Sequence, residues 1–468
     1  MIYTEWNFVG YLTEQCGSVK DSRVIEERFC GGYLEDEMEK FLKGAAVVGQ
    51  SGGPTAAINA TLAGVIRGVF ADKGEHITKL YGMRNGIEGF LAGRTVDLTQ
   101  WFGDDKGNMD EDKVTLLSHT PAAALGSCRK KLPDPHTDVA FYEDLIAKFK
   151  AQNIRYFFYI GGNDSMDTVA KLTEYLKTSD YEMCAVGIPK TIDNDLMGTD
   201  HTPGFGSAAK YIATTMSEII RDCAVYTIPA VTIVEIMGRD AGWLTASAGL
   251  GRLVHGYAPD LIYLPEVTFD MDAFFADVQA ALAKHPNVVV AVSEGVRFAD
   301  GHYVGEGTQS GSTDAFGHKY LAGTGKALEL AVKEKIGCKV RSIELNLPQR
   351  CAAHCASLTD LTESSGAGQA AVEAACGGMT GRMISICRTE AEEYAVTYKA
   401  EDIAGIANAV RAVPRDFISE SGSNVTDECL RYILPLIQGE PEIRYEGGLP
   451  VQLVIEDSSV IEDALVTE

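Results

Sequence analysis

The 468-residue chain contains no run of 18 apolar residues, so no membrane-spanning helix is expected. Its first residues, MIYTEWNFVGYLTEQ, lack a basic segment and a continuous apolar stretch, which argues against a secretory signal. No repeat of 20 to 50 residues and no low-complexity tract is present, so solenoids and tail-like linkers drop out. Basic residues are in deficit: 41 Lys and Arg against 66 Asp and Glu, a net charge of −25. A field of that sign repels phosphate backbones and argues against a nucleic-acid partner. It leaves room for a small anionic substrate, because a local cluster of Arg and Lys overrides the global sign. No Cys-x-x-Cys pair occurs, which removes the commonest zinc and dithiol motifs. What is present, 46% hydrophobic and 23% charged residues, is ordinary globular composition, with enough length for two domains.

The eleven cysteines are odd in number and scattered. They read as reduced thiols of a cytoplasmic protein rather than a disulfide framework. One cluster, Cys351, His354 and Cys355, puts two thiols at i and i+4, on one face of an expected helix. It lacks a fourth ligand and a second spaced pair, and it reads as small residues packed in that helix rather than as a metal site.

From Ala45 onward, short apolar runs alternate with longer periodic segments. Ala45–Val48, Arg155–Ile160, Cys184–Ile188, Val231–Ile236, Leu261–Leu264 and Asn287–Val292 are continuous and rich in β-branched and aromatic residues, as strands covered on both faces are. Between them, 56–70, 165–176 and 207–222 carry helical periodicity. Strand then helix, repeated, predicts an α/β fold of two doubly wound, Rossmann-like lobes built on parallel sheets. In such sheets ligands bind beyond the carboxyl ends of the strands. Residues 1–44 are polar and weakly patterned and read as an N-terminal extension.

Six loops at strand ends carry chemistry. Gln50–Asn59 (QSGGPTAAIN) joins a strand to a helix through two glycines, which lets backbone N–H groups approach an anion; a tight turn without a ligand explains it equally well. In Ile160–Ser165 (IGGNDS) a carboxylate, Asp164, sits in a glycine turn, either capping the next helix or facing a cation. Gly187–Asp195 (GIPKTIDND) crowds a lysine, a threonine and two acids after a proline, which suits a general base facing an anionic donor or, more plainly, an Asx-rich turn. Glu235–Gly242 (EIMGRDAG) offers Arg239 for bidentate phosphate contact. Ser293–Gly295 (SEG) presents Glu294, an acceptor for hydroxyls or an ordinary turn residue. Arg341–Arg350 (RSIELNLPQR) offers two arginines.

With GGND, PKTIDND, MGR, SEG and the final QR in this order over residues 45–350, the sequence resembles the phosphofructokinase family, and within it the pyrophosphate-dependent members. ATP-dependent members carry GGDGS and a glycine before TIDND, where this chain has Asp164 and Lys190. The resemblance implies an N-terminal extension (1–44), a phosphoryl-donor lobe (45–204), a sugar-phosphate lobe (205–349) and a helical C-terminal segment completing both (350–468). It implies transfer of a phosphoryl group from pyrophosphate to the 1-hydroxyl of fructose 6-phosphate. The products are fructose 1,6-bisphosphate and phosphate, in a reversible step shared by glycolysis and gluconeogenesis. An ATP-dependent enzyme and a sugar-phosphate sensor with little turnover are the alternatives.

By the same resemblance, Asp193 is the base, assisted by Lys190, Asp164 and Arg239. Gly53, Arg129, Gly162, Asp164, Ser165 and Lys190 face the donor. Thr191, Asp193, Met237, Gly238, Arg239, Glu294, Arg341 and Arg350 face the sugar phosphate. Mg2+ is the implied cofactor, and a homodimer or homotetramer the implied assembly. Three positions depart from the family. Asn163 stands where a magnesium-binding Asp is usual, Ala230 where many members offer an arginine to a neighbouring subunit, and Leu347 where a histidine is common.

Overall fold

The continuous apolar runs become buried strands, because a stretch apolar on every residue has no face to give to water. The computed structural model describes residues 42–306, 323–406 and 409–455. The expected N-terminal extension lies outside the described residues except for 42–44, as does the end of the chain from 456.

Eleven strands form two sheets: β1 (Gly44–Gln50), β2 (Ile77–Met83), β3 (Thr95–Asp97), β4 (Ile154–Gly161), β5 (Cys184–Pro189), β6 (Ala230–Ile236), β7 (Leu261–Tyr263), β8 (Asn287–Ser293), β9 (Lys339–Glu344), β10 (Arg382–Arg388) and β11 (Val396–Asp402). The first sheet has the order β11-β10-β5-β4-β1-β2-β3 and the second β7-β8-β6-β9. The second is parallel throughout. The first is parallel from β10 to β2 and closes with antiparallel edges at β3 and β11. This is the α/β, doubly wound architecture expected. Along the first sheet, order reverses at β1, which lies between β2 and β4; in such folds that is where a crevice opens for ligand.

Residues after 350 feed both sheets. Ala367, Ala371, Val372, Ala375 and Ile384 join the core under the first. Val413, Ile418, Val425, Cys429, Leu430, Ile433 and Leu436 join the core under the second. The segment carries helices Leu358–Cys376 and Asp427–Ile433, and also the β10–β11 hairpin, which the sequence reading left out. Helix Leu358–Cys376 crosses helix Ile58–Ala71 at backbone contact. A Cβ on Gly64 would fall 2.0 Å from the Ser365 carbonyl oxygen, and one on Gly368 2.3 Å from that of Thr61. Only glycine at both positions permits this approach.

The Cys351–Cys355 expectation is corrected. Helix Pro348–Cys351 stops at Ala352, whose ψ of 66° is not helical, and a 3-10 turn follows over Ala353–Cys355. The two thiols therefore share no helix face. Cys351 bonds back to the Leu347 carbonyl and Cys355 sits by Thr214. The one group of three metal-capable side chains found among the described residues lies elsewhere, at Asp72, His76 and Cys376. No helix among the described residues is long and apolar enough to cross a membrane.

Candidate active site

The loops after β1, β4, β5, β6 and β8 converge on one cleft of about 490 Å³. After β1, the Ser51 amide bonds to the Ile160 carbonyl at 2.9 Å, and Gly52 takes a left-handed φ of 77°. The Ser127 hydroxyl donates to the Gly52 carbonyl (2.6 Å) and the Gly52 amide to Cys128 (3.1 Å). That strap of residues carries Arg129 into the cleft. A Cβ on Gly53 would lie 3.1 Å from the guanidinium of Arg350, so the bare glycine makes room for this arginine from the far end of the sequence.

After β4, helix Asn163–Leu176 begins two residues earlier than its periodicity suggested, with Gly162 at its N-cap. Asp164 is thus inside the first turn and caps nothing. There its charge suits the positive end of the helix, and it pairs with Lys131 at 3.0 Å. A Cβ on Gly161 would meet the Ser165 hydroxyl at 1.9 Å, which holds Ser165 under the turn. The Asn163 side-chain oxygen is buried with no hydrogen-bond partner among the described residues, and Asn163 lines the cleft.

After β5 comes Lys190, 3% exposed. Its backbone amide bonds to Gly161 (2.9 Å) and its ammonium donates to the Gly53 carbonyl (2.6 Å). One residue, through its backbone and its side chain, thereby ties three strand-end loops together. Burial pushes its pKa down to about 8, against the pull of Asp193 and with help from Arg350 and Arg129. The Thr191 hydroxyl accepts from the Asp193 amide (3.1 Å), and Asn194 adopts a left-handed φ of 54°. Burial raises the Asp193 carboxyl, with Arg239 and Lys190 opposing. Asp195 rises to about 7 through burial and the charge of Asp193.

From the second sheet, Gly238 has a φ of 135°, a conformation that L residues rarely adopt. Its amide faces Glu294 at 3.3 Å, and its carbonyl accepts from the Ser293 hydroxyl. This corner turns Met237 and Arg239 into the cleft. Glu294 is pushed up to about 8 by burial and by Asp193, which favours its protonated form. Arg350 lines the cleft and Arg341 does not. Arg341 lines a separate hollow with Ala230, Tyr226 and Lys339.

Of the residues expected from the sequence, Gly53, Arg129, Gly162, Asn163, Asp164, Ser165, Lys190, Thr191, Asp193, Met237, Arg239, Glu294 and Arg350 line this cleft, and Gly238 supports it. Lys131, Asp195 and Asp240 also line it and were missed, as was Gln349, whose side chain receives the Met237 amide at 3.2 Å. The run Arg129-Lys130-Lys131 was the available signal for Lys131. Five cations (Arg129, Lys131, Lys190, Arg239, Arg350) thus share the cleft with five carboxyl groups in a protein of net charge −25; Asp164 and Asp240 are paired with Lys131 and Arg297, and burial raises the pKa of Asp193, Asp195 and Glu294. Such a site holds a polyanion and can draw a proton from a hydroxyl beside it.

The chain is similar over most of its length to known proteins. The phosphofructokinase family model matches residues 45–375. A pyrophosphate–fructose 6-phosphate 1-phosphotransferase of Halomonas elongata is 42% identical over 407 residues, covering 86% of this chain and 94% of that one. A sulfofructose kinase of Alkalicoccus urumqiensis is 30% identical, covering 81% and 89%. The crystal structure of a pyrophosphate-dependent phosphofructokinase from Nitrosospira multiformis superposes with a TM-score of 0.78 at 38% identity, covering 88% of this chain and 96% of the other. The chain belongs to the phosphofructokinase family.

Proposed function

We infer that the chain is a pyrophosphate-dependent phosphofructokinase, moving a phosphoryl group from pyrophosphate to the 1-hydroxyl of fructose 6-phosphate and back. The observation that carries the donor assignment is Lys190: a buried ammonium 2.6 Å from the Gly53 carbonyl, which supplies positive charge to a transferring phosphoryl group without a nucleotide pocket. Assays with pyrophosphate and with ATP as donor test it. Turnover with pyrophosphate well above that with ATP is expected. Preference for ATP would overturn the reading, and inactivity with both would favour a sugar-phosphate sensor.

In this reading the first sheet's loops receive the donor and the second sheet's loops the sugar phosphate, with domain boundaries at 45–204 and 205–349. Asp193 removes the proton of the 1-hydroxyl as that oxygen attacks the donor phosphorus. Its raised pKa makes it a stronger base than a surface aspartate. Lys190 and Arg239 offset the charge that builds on the transferring oxygens, and Arg129 stands by the donor. Phosphoryl transfer asks for little beyond this positioning and charge compensation. Protonated Glu294 can donate to a sugar hydroxyl, and Arg350 reaches from the sugar side toward Gly53. Arg341, outside the cleft, would serve a neighbouring copy, to which Ala230 beside it offers no polar side chain.

Magnesium fits the residues present through Asn163, whose buried side-chain oxygen lacks a partner among the described residues. Bound there, it would neutralise charge on the donor oxygens. A neutral amide is a weaker ligand than a carboxylate. Asn163→Asp is therefore expected to lower the Mg2+ concentration for half-maximal rate, measured by titrating the metal at fixed pyrophosphate. An unchanged or raised requirement would place the metal elsewhere.

Exposed Tyr226 and Ile228 line the hollow of Arg341, and Val225 is exposed in the same stretch, which supports a homodimer or homotetramer. Light scattering at assay concentration is expected to give a mass of at least two chains; a fully active monomer would refute this. Nine cysteines among the described residues are unpaired, as suits a reducing cytoplasm.

A further inference from the structure

His201 is a buried group that the chemistry above does not use. It is 2% exposed and lies between the Thr191–Asp195 turn and helix Phe205–Cys223. Its Nδ1 is 2.8 Å from an Asp200 oxygen and its Nε2 2.6 Å from a Glu363 oxygen on helix Leu358–Cys376. A neutral imidazole has a single N–H, so bonding to two ionised carboxylates requires the doubly protonated ring.

Every element around it brings charged or titratable groups. Arg388 of β10 sits 3.1 Å from the same Asp200 oxygen. The Tyr394 hydroxyl donates to Glu363 (2.8 Å) and that of Tyr398 to the Glu363 carbonyl (3.2 Å). The Tyr432 hydroxyl donates to the Asp200 carbonyl (2.6 Å), with Arg411 3.2 Å from that hydroxyl. Asp360, one turn before Glu363, accepts from the amides of Gly204 and Ser207. Burial opposes ionisation of Asp200, yet His201 and Arg388 hold its pKa below the usual range, so the proton stays on the ring.

The two residues after His201 hold both sides of Asp193. The Thr202 amide donates to the Asn194 side chain (3.0 Å), and the Thr202 hydroxyl to the Thr191 carbonyl (2.7 Å). The Thr191 amide returns a bond to Pro203 (3.2 Å). We propose that His201, as an imidazolium clamped between Asp200 and Glu363, is a positioning residue: it fixes the Thr202-Pro203 backbone that grips Thr191 and Asn194, and so the aim of Asp193. The last step rests on Asp193 being the base; the clamp itself does not.

The charge on His201 gives the clamp a pH window. Burial lowers the pKa, but Asp200 and Glu363 outweigh it and leave it near 8, above the ordinary 6.5. A group raised in the folded state stabilises fully below its unfolded value and loses that contribution as pH rises through its folded one. Lys190, lowered to about 8 from 10.5, has the opposite sign and acts above that window. The raised carboxyls Asp195, Glu235 and Glu294 share the sign of His201, so the informative quantity is a difference between proteins.

The test compares wild type, His201→Gln and Glu363→Gln. Histidine-ring NMR, with the His201 signal assigned by its loss in His201→Gln, is expected to give a midpoint near 8 in wild type and a lower one in Glu363→Gln. A wild-type midpoint at or below 6.5 overturns the clamp. The thermal midpoint of wild type is expected to fall more between pH 6.5 and 8.5 than that of His201→Gln; parallel curves count against it. At pH 7, His201→Gln is expected to lose about tenfold to a hundredfold in kcat, with KM changed less than threefold, the scale of a misaimed group. Folded His201→Gln with kcat within threefold of wild type overturns the positioning role. Where His201→Gln fails to fold, Glu363→Gln decides: it keeps an acceptor for the ring, and its kcat deficit is expected to deepen from pH 6.5 to 8, a flat deficit being contrary. Should Asp193→Asn prove active while the His201 midpoint stands near 8, the base assignment falls and the clamp survives.

Discussion

Replacing Asp193 with Asn is expected to lower kcat by about 10² to 10⁴-fold, the usual worth of a general base, while KM for both substrates moves little. The amide keeps the shape of the carboxylate and the Thr191 hydroxyl bond to the residue 193 amide, so loss of folding does not explain the outcome. What disappears is basicity in a buried position flanked by Arg239 and Lys190. Near-wild-type turnover would remove Asp193 from the proton transfer and shift attention to Asp195, raised to about 7 in the same turn. The pH profile follows from the same residues. On the acid side, rate falls as Asp193, raised by burial, takes up its proton. On the alkaline side, it falls as Lys190 loses its proton near pH 8. The alkaline fall is expected to flatten in Lys190→Gly, although His201 contributes a part that remains.

Lys190→Gly carries the second large effect. An ammonium about 4 Å from a phosphoryl charge contributes roughly 4 kcal/mol at an effective dielectric of 20, or about three decades. Catalytic efficiency with pyrophosphate is expected to fall by that order, and more than efficiency with ATP, so the donor ratio moves toward ATP. Asp164→Gly pushes the ratio the same way by another route, removing a carboxylate from where a nucleotide's α-phosphate would pass. Its effect is smaller than a bare charge would give. Asp164 keeps 32% of its side chain exposed and is neutralised by Lys131 at 3.0 Å, and such pairs are well screened. About one decade in the ratio is expected, with the double variant exceeding either single one. Kinetics with both donors in wild type and the three variants check this. A ratio unmoved by Lys190→Gly would mean that the lysine serves only to hold the Gly53 loop.

The parts of the fold that could be read in the sequence are those where burial is symmetric. β1, β4, β5, β6 and β8 are buried along nearly their whole length and show as continuous apolar runs. β9 and β11 are edge strands with alternating or mostly exposed residues, so RSIE falls within the expected Arg341–Arg350 loop and VTYKAED shows no continuous apolar run. The site was legible wherever its chemistry is local, as in PKTIDND. It was not where partners meet across the chain. The Asp164–Lys131 pair joins two loops, and Gln349 supports Met237 from more than a hundred residues away. Asp164 was open to reading as a cap because Gly162, which offers no side-chain signal, starts the helix.

The strand order of the first sheet also constrains how the protein is made. β5 ends at Pro189, yet its outer neighbour β10 begins only at Arg382. On a ribosome moving at about 5–20 residues per second, that hydrogen-bonding edge emerges roughly 10–40 s before its partner exists. During that interval an apolar strand stands with one side open, the situation in which chains pair with one another instead of with themselves. The glycine crossing between helices Ile58–Ala71 and Leu358–Cys376 waits longer still, roughly 15–60 s at the same rate. Truncations or slow codons between 350 and 402 are therefore expected to prolong that exposure, and chaperone demand to track how late the hairpin arrives.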